Sequence, residues 1–554
     1  MTSTTGGPGH QGGPGHQGGP GHQGGPDGER SAEAGTPASA GTSRLPRGAV
    51  PFWGLVSQSI AGMAPATDVV AFMTAGAAFA LVALPLAYFA AFVLMFIEVN
   101  TIYHLSKHRR SAGGYYSYVS VGLGARPAIV SALMVVFYQV MSVAGVAVYI
   151  GGVFLPALAR SYLGLEVPSW LWAALIAVFV GVPWVLGVLG IRPTVRVLAV
   201  TSGIEILFLL VASIVVIALV PLHAPLRPFD MGAVGLKGVA LGMIFSVTSF
   251  IGVGSHAPLA EEARGRSGDS GGGDGRGGGG SIGKAAILSL VLVGVTLTVS
   301  AYALTVGWGQ AHMASFATAR APGVVIFLRY LGPLGAVLLV VFAVNSALMD
   351  DVALVTSSAR VLYAVGRDRL VRHSLAKLNK RHAPARAVTA VAALSVAAAL
   401  GFGFWLGPAA AFDVLTTAVL FGLVTTHTLM NFSLMRLSSG ERRVVQLLFH
   451  VVLPIVAMGL FWLVLYESVV PLSFPLAWGA VTWVAVLVAS TAWTWHVTAG
   501  AGLQGAAGRT LGTGDGTAAA LPQPLVPPPP PAQPTQHDGR AAPGRAPRGP
   551  APRP

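Results

Sequence analysis

Cysteine is absent from this chain, which excludes disulfides, thiolate-ligated metals and thiol nucleophiles. Charge is scarce as well. Only 10% of the 554 residues are charged, against about 25% in soluble domains. Hydrophobic residues make up 53%, and the mean hydropathy is +0.68. That excludes a large soluble enzyme and describes a polytopic membrane protein. Acids are the rarer sign, 20 against 34 Lys plus Arg, for a formal net charge of +14. The excess does not mark a nucleic-acid partner, because the basic residues crowd into loops between apolar runs rather than onto an amphipathic soluble helix. No H-E-x-x-H motif occurs and no nucleophile–base set is found, so neither an enzyme nor a cofactor or metal centre is expected.

Both ends are polar. Residues 1–48 include three tandem Gly-Gly-Pro-Gly-His-Gln copies, Gly6–Gln11, Gly12–Gln17 and Gly18–Gln23. They read as a disordered tail, since nothing there buries a core; weak metal chelation by His10, His16 and His22 is the alternative. The basic n-region and adjoining apolar run of a signal peptide are not present. Residues 499–554, with Pro527–Pro531, form a second disordered tail rich in Pro, Ala and Gly. Residues 49–498 remain as a transmembrane domain.

A span needs about 20 apolar residues. Candidates fall near 53–80, 82–104, 127–155, 169–190, 195–220, 235–260, 282–307, 332–363, 387–405, 410–435, 445–467 and 472–496, which predicts an all-α protein of twelve transmembrane helices. With a cytoplasmic N-terminus, the inward loops hold 21 of the 34 basic residues and the outward loops 5, the rest lying in the tails. This bias places both termini in the cytoplasm and the chain in the cell membrane. It also leaves no Lys or Arg deep in a span.

Two spans are broken where an ordinary membrane helix runs on. The first contains Ser57-Gln-Ser-Ile-Ala-Gly-Met-Ala-Pro-Ala-Thr67, the sixth Ser249-Phe-Ile-Gly-Val-Gly-Ser255. Unpaired backbone groups are costly in hydrocarbon, so a break lines a cavity or meets a ligand. A matched pair of breaks points to a transporter's substrate site near the membrane midplane. Spans one and six are five apart, and a repeat of five helices is inverted because five is odd; a five-plus-five inverted repeat follows, with helices 1 and 6 discontinuous. Pro65 suits the first position of a half-helix. The amides of Ala61, Gly62, Met63, Ala64 and Ala66 around it then point at an anion such as a substrate carboxylate. In the second break Ser249, Phe250, Ile251, Gly252 and Gly254 offer carbonyls to an amine. A simple packing kink is the alternative.

Acids fall within spans, among them Asp68, Glu98, Glu205, Asp350 and Asp351. Buried carboxyls usually face a cavity and handle ions or protons. Asp68, one turn past the first break, either receives an amine or proton or complements a helix terminus. Glu205 is the favoured proton carrier; a bond to a neighbouring Ser or Thr is the other reading. Asp350 and Asp351 lie about 14 Å from the inner end of their span, by helical rise, and point about 100° apart, so one at most faces the substrate path. Glu98 is nearer the inner end and reaches the interface. Thr356, Ser357 and Ser358 either coordinate Na⁺ or bond back to their own helix. His256 and the run Gly271–Gly280 have weaker claims: the run lacks the G-x-x-x-x-G-K-[ST] pattern and reads as a flexible insertion.

Three stretches resemble the amino acid–polyamine–organocation superfamily. Ser111-Ala-Gly-Gly-Tyr-Tyr-Ser-Tyr118 looks like its P-x-A-G-G-x-Y-x-Y element. Phe245 to Glu262 looks like its sixth-span signature F-x-x-F-x-G-F-E with L-x-E-E, and Ala359–Asp368 like R-x-L-Y-A-M-A-R-D-G. The resemblance covers residues 45–500. It implies twelve helices in a five-plus-five inverted repeat and uptake or exchange of amino acids or amines. It also implies a substrate carboxylate at Gly62–Ala66 and an amino group at Phe250–Gly254. The chain departs from the pattern at Gly254, where relatives carry Glu, at Arg369, where they carry Gly, and at Ala61–Ala66, where they carry G-S-G-I-F. The expectation is a secondary transporter of amino acids or amines working by alternating access. It is coupled to H⁺ through the unpaired acids or to Na⁺ through Ser357 and Ser358. An uncoupled exchanger and a non-transporting membrane sensor are the alternatives.

Overall fold

The computed structural model describes residues 45–499 apart from 223, 265–278, 441–442 and 472. The histidine-bearing repeats, most of Gly271–Gly280 and the proline-rich tail lie outside the described residues.

The first expected span is three short helices: α1 (Phe52–Ala61), α2 (Pro65–Val70) and α3 (Phe72–Ala80). The chain reverses at Leu81, whose φ is 46°, and enters α4 (Leu84–His108). The short α5 (Tyr115–Leu123) leads into α6 (Ala125–Tyr149), which a π-helical turn joins to α7 (Leu155–Leu163). Next come α8 (Leu171–Leu189), α9 (Ile191–Leu219) and α10 (Gly235–Thr248). Beyond α10 the chain continues as two 3-10 turns, Ile251–Gly254 and Ala257–Leu259. The second half holds α11 (Gly279–Trp308), the short α12 (Met313–Thr318), and α13 (Pro322–Arg367), kinked at Gly332. Then follow α14 (Ala385–Leu406), α15 (Pro408–Leu437), α16 (Val444–Leu447), α17 (Leu453–Val469) and α18 (Ala477–Ala499).

Among the described residues, eleven helical stretches rather than the expected twelve are long and apolar enough to cross a membrane. The difference has a local cause. Residues 52–80 are split into pieces too short to span, and α3 joins α4 in one stretch, Phe72–His108. The helices hide their breaks inside and turn apolar side chains such as Phe96, Leu207, Leu334 and Trp462 outward, as lipid contact requires. In lipid, helix contacts depend on close packing rather than on hydrophobic burial. α4 accordingly lies along α11, α6 along α15 and α13, and α3 along α10.

Candidate functional site

α1 ends at Ala61 because the next residues turn back on themselves. Gly62, Met63 and Ala64 donate their amides to Gln58, Ile60 and Ala61. Ala64 is left-handed, with φ 40° and ψ 59°, and α2 starts at Pro65, which has no amide to leave unpaired. The amide of Ala66 is taken at 2.9 Å by Glu205 of α9. The same carboxylate oxygen accepts from the Ser346 hydroxyl of α13 at 2.6 Å. The sequence reading assigned the amides of Gly62–Ala66 to a substrate carboxylate; in this conformation local turns and the chain's own Glu205 hold them. Glu205 thus has its hydroxyl partner, and a backbone amide besides.

The second break closes in a similar way. Phe250 O accepts from Val253 N, and Gly252 O from Ser255 N. The Ser59 hydroxyl of α1 reaches Gly252 O and Val253 O at 3.2 and 3.1 Å, and is itself met by Ser289 of α11 at 2.7 Å. Ser255 returns a bond to Gln58 O at 3.0 Å. The two breaks therefore cross in direct backbone contact. A Cβ on Gly252 would fall 2.1 Å from the Gly62 carbonyl carbon, so only glycine fits there.

Asp68 is fully buried. One of its oxygens accepts from Tyr88 at 3.0 Å and Ser249 at 2.5 Å, while the other has no partner. Asp350 lies within electrostatic reach of Asp68, and Asp351 of Asp350. One oxygen of Asp350 and both of Asp351 are buried without a partner. Unsatisfied carboxyl oxygens in a dry interior are costly unless they are protonated or paired. Ser357 is likewise buried and unpartnered, whereas Ser358 donates to Gln139 at 2.6 Å. A cavity with room for about one water lies between Phe72, Ser142, Thr248, Phe412 and Thr416, and none of these acids lines it. His256 is buried with Nε2 at 2.9 Å from Ile282 O, a structural tie.

Glu98 corrects the sequence reading outright. It does not reach an interface: it is wholly buried, with His427 Nδ1 of α15 at 2.8 Å. The acids were expected to have no basic partner, and His427 was not singled out. Tyr88, Tyr115, Gln58 and Ser59 were missed too. A polar residue within an apolar run was the available signal for Tyr88, Gln58 and Ser59, and for Tyr115 its place in the quoted Ser111–Tyr118 stretch. Arg360, expected at a span edge, is buried inside α13.

The three stretches that carried the resemblance meet at one end of the bundle. Arg360 pairs with Glu262 at 2.5 Å, with side chains 4% and 0% exposed. Arg367 grips both oxygens of Glu261 at 3.2 and 2.9 Å, and Glu261 also accepts from Ala112 N at 2.9 Å. Tyr116 donates to Asp368 at 2.7 Å. Burial pushes the Asp368 carboxyl up, against the pull of Tyr116, Arg367 and Arg109. Val50 bridges to the same region through Glu262 O and Arg264 N. The ordered result is a latch tying α5, α13 and the segment after the sixth-span break.

A multi-pass helical membrane protein with a charged latch and two crossed helix breaks is the class this geometry defines. The amino acid permease family model matches residues 54–505, and the chain belongs to that family. The family points to amino acid transport across a membrane. A search of curated proteins returned no match.

Proposed function

We propose that the chain is a secondary transporter carrying an amino acid or related amine across the cell membrane, coupled to H⁺ and working by alternating access. The carrying observation is the crossed pair of breaks, with Glu205 seated on the Ala66 amide and unpartnered carboxyl oxygens on Asp68, Asp350 and Asp351. A substrate carboxylate competes with Glu205 for that amide. A proton on Glu205 weakens its hold as an acceptor and frees the amide, which links proton and substrate binding at one atom. The substrate's amine then goes to the Asp68 side of the site. In this reading the closed breaks and the formed latch belong to a shut state of the cycle.

In this reading residues 52–80 cross the membrane once in pieces, giving twelve spans with both termini cytoplasmic. The contacts support an inverted repeat. α4 packs on α11, α6 on α13 and α8 on α14, each pair being spans five apart, a pattern in keeping with a two-fold axis near the breaks.

Uptake into proteoliposomes tests this, with neutral, basic and acidic amino acids and their decarboxylated amines under imposed pH or Na⁺ gradients. Accumulation of at least one class under an inward proton gradient is expected. Glu205→Gln should lower pH-driven uptake at least ten-fold. Binding without any accumulation would overturn the transporter reading in favour of a sensor. Undiminished uptake by the Gln variant would remove Glu205 as the carrier, and a requirement for Na⁺ would move coupling towards Ser357.

A further inference from the structure

The mechanism above leaves one buried ionisable set unused. α4 presents Glu98 and Thr101, three residues apart on one face; α15 presents His427 and Asn431, four apart on one face. The faces meet. Glu98 Oε1 is 2.8 Å from His427 Nδ1, Glu98 Oε2 accepts from Asn431 Nδ2 at 2.8 Å, and Thr101 donates to Asn431 Oδ1. All four residues are at most 1% exposed. Each ionisable member lies ten residues before the same-side end of its helix, about 15 Å into the bundle by helical rise.

Aromatic rings face the pair, and Tyr138 of α6 lies within electrostatic reach of one of them, Tyr115. From α5 the Tyr115 ring meets the His427 ring edge-on at 5.5 Å, with Tyr118 beside it; from α17 Phe461 lies at 5.7 Å. Tyr115 reaches further. A Cβ on Gly254 would land 1.6 Å from its hydroxyl oxygen, so Tyr115 fills the space beside the sixth-span break. Its helix begins three residues after Ala112, whose amide is held by Glu261 of the latch. One side chain thus touches both the buried pair and the break, and it sits three residues along the chain from the Ala112 amide held by the latch.

We propose that His427 and Glu98 form a proton-binding site, separate from Glu205, whose occupancy sets whether the latch stays closed. The proposal rests on the transporter reading for its purpose but not for its test. The ligand is one proton from water, which adds to His427 Nε2 while Nδ1–H remains on Glu98. The pair then changes from a net charge of −1 to zero. A pair of zero net charge is better tolerated in a dry bundle than a carboxylate held only by the neutral donors His427 and Asn431. With the proton bound, α4 and α15 stay together and Tyr115 stays wedged against Gly254. Proton loss leaves Glu98 demanding water, so the two helices part and Tyr115 moves with them. Acid therefore favours the closed latch and alkali the open one.

Because the chain has no cysteine, a single introduced thiol reports the latch cleanly. The full chain carrying Ser111→Cys, next to Ala112, is placed in lipid nanodiscs without substrate and labelled with a maleimide. Rates from about pH 5 to about pH 9 are normalised to the denatured protein at each pH. The normalised rate should rise at least five-fold with pH, and His427→Gln and Glu98→Gln should each flatten the response while Glu205→Gln keeps it. A parent response that is flat, or that survives both pair variants, overturns the proposal. Should the pair variants aggregate, hydrogen exchange in the Ser111→Cys parent decides: protection at residues 95–101 and 424–431, corrected for intrinsic rates, should fall as pH rises. Constant protection would equally overturn it. Failure of every substrate in the uptake panel would leave this result untouched, and a flat response beside real uptake would remove only the proton site.

Discussion

Gly254 and Tyr115 share one volume, and neither makes sense without the other. The family pattern that the sequence resembles has Glu at the position of Gly254, and the space such a side chain would need holds the Tyr115 hydroxyl, buried without a hydrogen-bond partner. Gly254→Ala should therefore destabilise the protein by about 1–3 kcal/mol through overpacking. In a Tyr115→Ala background the same substitution should cost close to nothing. Thermal unfolding of the four proteins of this cycle measures the coupling; equal costs in both backgrounds would mean that the ring does not occupy the glycine's space. The glycine was visible in the sequence as a departure from the family pattern. Its partner lies 139 residues away, and no spacing connects the two.

At the scale of elements, the latch depends on α13 reaching the segment that follows the sixth-span break. Arg360 and Glu262 are both buried, so removing one partner strands a charge. Arg360→Ala should cost about 3–5 kcal/mol, whereas replacing the pair together by Met and Leu should be far milder. Arg367→Ala, at a pair whose arginine is 37% exposed, should cost no more than about 1 kcal/mol. Unfolding in detergent ranks the three, and an Arg367 effect as large as that of Arg360 would contradict the burial argument. Helix α13 itself was legible as an apolar run with charges at its end. That Arg360 turns inward was not, because positive charge near a span end ordinarily marks a loop.

For the whole molecule, the charge asymmetry of 21 against 5 basic residues sets the expected orientation. Fluorescent-protein fusions at either terminus should be bright and alkaline phosphatase fusions inactive, as for cytoplasmic ends; an active phosphatase at one end only would require an odd number of crossings. Composition, hydropathy and the positions of Gly62, Pro65, Gly252 and Gly254 were enough for the sequence to determine a helical membrane protein with two interrupted segments. These properties are local: apolar length is read residue by residue, and a broken helix is written in its own glycine and proline. Only the tertiary structure decided what fills the breaks. Glu205 on the Ala66 amide, Ser59 on the Gly252 carbonyl and His427 beside Glu98 are contacts between residues 139, 193 and 329 positions apart. Such pairs depend on which faces of distant helices meet. The backbone groups of the paired breaks that marked a site in the sequence are thus found satisfied by the chain itself, because an unpaired amide or carbonyl in hydrocarbon costs too much to leave waiting.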